Sequence, residues 1–123
     1  MGQSLPLLHG RRILIVEDDF FVGQALSCVL ELAGATVFGP IGWLDEAIEY
    51  INAEVGRVDG AVLDVNLHGE KSYPIAALLQ RLGVPFVFAT GYGADSLDVQ
   101  YAHHARVEKP FNHDRLLATL ANA

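Results

Sequence analysis

Short apolar runs alternate along this chain with longer segments in which apolar residues recur at three- and four-residue spacing. The first run, Ile13 to Val16, is continuous rather than alternating, which predicts a strand buried on both faces. Val22, Ala25, Leu26, Val29, Leu30 and Ala33 follow at helical spacing and are stopped by Gly34, so a helix is predicted over 20–33 with Asp19 as its cap. Thr36 to Phe38 predicts a second strand, ended by Gly39-Pro40, and Trp43 to Ile51 a second helix. Ala61 to Leu63 reads as a third strand. Ser72 to Leu82 reads as a helix in which Pro74 is tolerated only in the first turn, with Gly83 closing it. Val84 to Ala89 is the fourth strand, and Leu97, Val99 and Tyr101 suggest a short helix within 91–105, weakened at its start by Gly91 and Gly93. Ala105 to Glu108 is a brief fifth strand, and Asn112 caps a last helix carrying Leu116, Leu117 and Leu120.

Five strands and five helices in strict alternation call for right-handed crossovers, and hence for a parallel sheet covered by helices on both faces. The expected class is α/β, a three-layer sandwich. With 123 residues and 51% hydrophobic content, the chain has the size of one domain with a real core. That domain is read over 11–123, behind a flexible N-terminal extension over 1–10. The net charge of −7 argues against broad attraction to nucleic acid or to an anionic membrane. No apolar stretch approaches the roughly 18 residues of a membrane span, and Met1 to His9 lacks a signal-peptide core. The single cysteine, Cys28, excludes an internal disulfide and is expected to be a small buried hydrophobe on its helix; a cytoplasmic setting fits.

The candidate chemistry sits at the ends of the apolar runs. Glu17 and Asp18 follow the first, Asp64 the third, Thr90 the fourth, and Lys109 stands beside Pro110 after Arg106-Val107. If these runs are parallel strands, their carboxyl ends share one edge, where open α/β sheets place their sites. Each residue alone has a plain reading: loop carboxylates, a helix cap, a β-branched strand residue, a solvated lysine. Their joint placement favours a shared pocket. Asp19 is read as a cap only. The five histidines are read as surface or structural residues, His68 being the one whose place in the chain falls near the site.

Over roughly Arg11 to the end, these residues resemble the receiver domain of two-component response regulators. Glu17-Asp18, Asp64, Thr90 and Lys109-Pro110-Phe111 each match a motif of that family, in order and at the proper strand ends. The Phe88-Ala89-Thr90-Gly91-Tyr92-Gly93 segment is further similar to the subfamily named for its Phe-Ala-Thr-Gly-x-Tyr (FAT GUY) motif. The resemblance implies a flavodoxin-like (βα)5 fold with strand order 2-1-3-4-5. It implies a stand-alone phospho-acceptor in stress signalling rather than an enzyme. Asp64 would accept the phosphoryl group, with Thr90 and Lys109 gathering its oxygens. Mg2+ would be held by Asp18 and Asp64 directly, by Glu17 through water, and by the backbone carbonyl of Asn66. The donor would be a histidine kinase of the HWE or a related type, or a phosphotransfer protein. No output domain is expected after residue 123, so a direct transcriptional role would require a separate chain, and the expected signal is a conformational change that alters binding to a protein partner.

One position departs from the pattern. Receivers ordinarily carry an aromatic switch residue on the fifth strand, and here Arg106 occupies it. Tyr92, or the 91–101 segment, is therefore expected to take over the response. Two other classes compete with this reading. A phosphohydrolase using an aspartyl phosphate needs an acid–base Asp two residues after its nucleophile, where this chain has Asn66. A binding module that has abandoned phosphorylation would have no need to keep every acidic, hydroxyl and lysine position.

Overall fold

The computed structural model describes residues 6–91 and 97–123. Among them, strands β1 (Arg12–Val16), β2 (Thr36–Ile41), β3 (Gly60–Asp64), β4 (Phe86–Thr90) and β5 (Arg106–Glu108) form one parallel sheet in the order β2-β1-β3-β4-β5. Four α-helices cover it: α1 (Phe20–Leu32), α2 (Leu44–Ala53), α3 (Tyr73–Arg81) and α4 (His113–Ala121). The fold is the flavodoxin-like α/β sandwich expected from the alternation.

The continuous apolar strands explain how both layers close. In β1, Leu14 and Val16 face a core shared with Ala47 and Ile51 of α2 and with Ile75 and Leu79 of α3. Ile13 and Ile15 face the opposite core, against Leu26 and Leu30 of α1 and Leu116 and Leu120 of α4. Fully burying side chains of this size contributes about 1.5–3 kcal/mol each, so the two faces of the sheet are the main source of stability. Within the stretch read as an extension, Leu8 is buried in the second core and its N–H donates to the Ala33 carbonyl at 2.9 Å.

Several elements differ from the sequence expectation. β2 runs through Gly39-Pro40, whose peptide bond is cis, to Ile41 instead of stopping at Phe38. It is an edge strand, where a proline without an N–H is tolerated. Gly39 has φ +93°, and a Cβ there would stand 2.5 Å from the Ile15 carbonyl oxygen, so only glycine fits. A two-residue hairpin, Asn66–Leu67 with Glu70–Lys71, follows β3 and was not expected. In place of a fifth helix, the described part of 91–105 contains one 3₁₀ turn, Val99–Tyr101. Cys28 is exposed rather than buried. α1 is apolar over most of its circumference, so spacing alone could not say which face meets the sheet.

Candidate functional site

Strand register brings the expected residues together. Val16 pairs with Leu63 and Asp64 with Ala89, so Glu17, Asp64 and Thr90 end three adjacent strands at one level. Thr90 pairs with Glu108, and the Lys109 N–H donates to the Thr90 carbonyl at 2.8 Å, which seats Lys109 beside them. The Lys109-Pro110 bond is cis.

Lys109 bridges the two buried carboxylates. Its Nζ donates to Glu17 Oε2 at 2.9 Å, to Glu17 Oε1 at 3.1 Å and to Asp64 Oδ2 at 3.1 Å. Glu17 is 3% exposed and Asp64 8%, so this ammonium is the charge that makes their burial tolerable. Burial pushes the Glu17 carboxyl up to about 7; the hydrogen bond from Lys109 opposes that rise and the neighbouring Asp64 reinforces it. Burial alone would lower the Lys109 ammonium, but its bond to Glu17 and the charge of Asp64 hold it above the ordinary lysine range. The backbone donates as well, with the Asn66 N–H on Asp64 Oδ1 at 3.2 Å and the Asp19 N–H on Glu17 Oε1 at 3.3 Å. Asp19 also caps α1 through the Val22 N–H, as its position predicted.

Asp18 completes an acidic cluster. One oxygen from each of Glu17, Asp18 and Asp64 lies within 4.8 Å of the others. Three carboxylates at that separation against one ammonium leave a local excess of negative charge, and a hard divalent cation with oxygen ligands fits such a donor set. Asp18 is held from the hairpin, where the His68 N–H donates to its Oδ2 at 2.9 Å. Sequence reasoning assigns His68 and Trp43 no role, yet their rings stack beside this carboxylate. The only signal was a His-Gly pair at 68–69 that could have been read as a tight hairpin turn.

The remaining expected residues make other contacts or lie outside the described residues. The Thr90 hydroxyl is buried and donates weakly to the Val107 carbonyl at 3.5 Å rather than to a carboxylate. Asn66 is exposed and contributes its N–H to Asp64. Arg106 is exposed on β5 and lines a surface cleft with Glu108 and Arg115. Tyr92 lies outside the described residues. Tyr101 is buried, stacks on Tyr73 with ring centroids 5.3 Å apart and meets Phe88, the β4 partner of Arg106, edge-on.

No protein-family model matches the chain. Among solved structures it is similar to SdrG from Sphingomonas melonis Fr1, at 37% identity and a TM-score of 0.80 over 89% of this chain and 92% of that one. A BeF3-activated conformation of SdrG matches at 36% identity and a TM-score of 0.74, over 95% and 98% of the two chains. A response regulator receiver protein from Sinorhizobium medicae shares the fold, at 20% identity and a TM-score of 0.77, covering 91% of this chain and 92% of that one. An uncharacterized transcriptional regulatory protein of Bacillus subtilis, YbdJ, is 29% identical over 119 residues, 94% of this chain and 51% of the relative; the chain thus spans about half the length of that relative. Fold and relatives are those of a signalling domain. The chain belongs to the receiver domains of two-component response regulators.

Proposed function

We propose that the domain over 11–123 accepts a phosphoryl group on Asp64 and signals by altered protein binding. The observation that carries this reading is the Lys109 ammonium bonded at once to Glu17 and Asp64, beside Asp18, at the carboxyl edge of the sheet. Phosphoryl transfer to a carboxylate is mostly a matter of position and charge. The Asp64 carboxylate oxygen attacks phosphorus in line, the bond from phosphorus to the donor nitrogen of a phosphohistidine breaks, and the departing imidazole keeps the electron pair. Lys109 needs only to turn from the Asp64 oxygen to a phosphoryl oxygen, and the Thr90 hydroxyl to leave its long bond to Val107 for another. Asp18, Asp64, Glu17 through water and the Asn66 carbonyl would hold Mg2+, which neutralises charge developing on the phosphoryl oxygens when bound.

The donor on this reading is a histidine kinase, of the HWE or a related type, or a phosphotransfer protein, in cytoplasmic stress signalling. SdrG has a BeF3-activated conformation, and the same anion is expected to bind here at Asp64. With Arg106 exposed, the response would pass instead through the 91–101 segment, Tyr92 included, where buried Tyr101 is stacked on Tyr73 at the start of α3. The phosphohydrolase reading is not favoured, because the position of its acid–base group is Asn66.

The test is intact-protein mass after incubation with acetyl phosphate, with and without Mg2+, for wild type and Asp64→Asn. One added phosphoryl group that requires both Mg2+ and Asp64 is expected. If the wild type gains no mass and Mg2+ and BeF3 leave its amide spectrum unchanged, the phospho-acceptor reading gives way to that of a plain binding module.

A further inference from the structure

Trp43 and His68 flank the acidic cluster and take no part in the transfer as described. Trp43, the single tryptophan of the chain, is half exposed at the N-cap position of α2, where it makes no side-chain capping bond. Its indole stacks on the His68 imidazole, with ring centroids 3.6 Å apart and planes 7° from parallel. His68 Nδ1 lies 2.8 Å from the Gly42 carbonyl oxygen; a carbonyl only accepts, so this nitrogen carries the proton. The connection between β2 and α2 is packed closely here, since a Cβ on Gly42 would stand 3.3 Å from Asp18 Cα and 3.4 Å from His68 Cε1.

The backbone of His68 makes its ring informative. His68 and Gly69 are the two central residues of the hairpin, with φ +50° and +84°, as a type I′ loop requires. Glycine would adopt this conformation at position 68 with less strain. What histidine adds is the ring, and both of its contacts reach across to Gly42 and Trp43. They hold the hairpin in the place where the His68 N–H meets Asp18 Oδ2 at 2.9 Å.

We infer that His68 is a positioning residue for a divalent cation at Asp18: its ring, clamped by Trp43 and Gly42, keeps its peptide N–H on one carboxylate oxygen and so aims the carboxylate at the metal. This rests on the reading of Glu17, Asp18 and Asp64 as the cation site. Groups that orient a ligand from behind typically change metal affinity 10- to 100-fold when removed.

The experiment is a Mg2+ titration followed by calorimetry on wild type, His68→Gly and Trp43→Leu, and by Trp43 emission on the first two. His68→Gly keeps the N–H and relieves the positive φ, but loses the ring. It is expected to fold, to bind Mg2+ about tenfold more weakly, and to lose the emission response expected of wild type. Trp43→Leu is expected to weaken binding in the same direction, and it carries the test alone if His68→Gly does not fold. Wild-type affinity in both variants overturns the inference while leaving the cation site standing. A wild type that binds no Mg2+ and takes no phosphoryl group overturns the site itself, and the inference with it.

Discussion

At the residue scale, the decisive group is Lys109. It is the cation that meets the Glu17 and Asp64 carboxylates, and it is itself mostly buried, with 21% side-chain exposure. Removing one partner of a fully buried pair costs about 3–5 kcal/mol, and partial exposure lowers the figure here to roughly 2. Lys109→Ala is therefore expected to destabilise the metal-free protein by about that amount at pH 8, and by less at pH 5, where Glu17 takes up a proton. Urea unfolding at the two pH values would show it; an equal loss at both would mean that the ammonium does not compensate these carboxylates. That Glu17, Asp64 and Lys109 come together with Asp18 beside them could be read from sequence because each ends an apolar run, and a run's end becomes a place in space once the strands are parallel. The placement of the His68 ring could not, because it depends on a turn conformation and on a ring contact across 25 residues, neither of which leaves a periodic trace.

At the scale of elements, sequence reasoning located the strands and helices to within a few residues and failed where tertiary contact outweighs local pattern. β2 illustrates this. Gly39-Pro40 is a strong local stop signal, yet the strand continues because an edge position can dispense with one N–H. The same proline determines how closely α1 lies on β2. A Cβ at Gly23 of α1 would stand 2.4 Å from Pro40 Cγ and 2.8 Å from its Cβ, atoms of a ring that cannot turn aside. Gly23→Ala should gain about 1 kcal/mol of helix propensity and lose more than that to overpacking. A net loss of roughly 1–2 kcal/mol is expected in thermal unfolding. A stabilised Gly23→Ala would show that α1 can slide on the sheet. The outward face of α1 carries Phe21, Cys28 and Leu32, all exposed, which is why an apolar spacing pattern there assigned Cys28 to the core.

At the scale of the whole molecule, the site links proton, cation and stability. The Glu17 carboxyl is raised from its ordinary value of 4.5 to about 7. A carboxyl raised in the folded state adds stability that is fully present below its unfolded value and is lost as pH rises through the folded one. The metal-free protein should accordingly lose stability between about pH 4.5 and 7 on this group's account. A cation held through Glu17 needs it ionised, so Mg2+ must displace a proton below about pH 7, and its affinity should fall close to tenfold per pH unit there. At a Mg2+ concentration near 100 times the dissociation constant, ligand stabilisation is about 2.7 kcal/mol, and a tenfold weaker affinity removes about 1.4 of it. The Mg2+-induced rise in melting temperature is thus expected to be about half as large at pH 6 as at pH 8, and Glu17→Gln should abolish the difference. An equal rise at both pH values in wild type would place the cation away from Glu17 and leave Asp18 and Asp64 to hold it without that carboxylate.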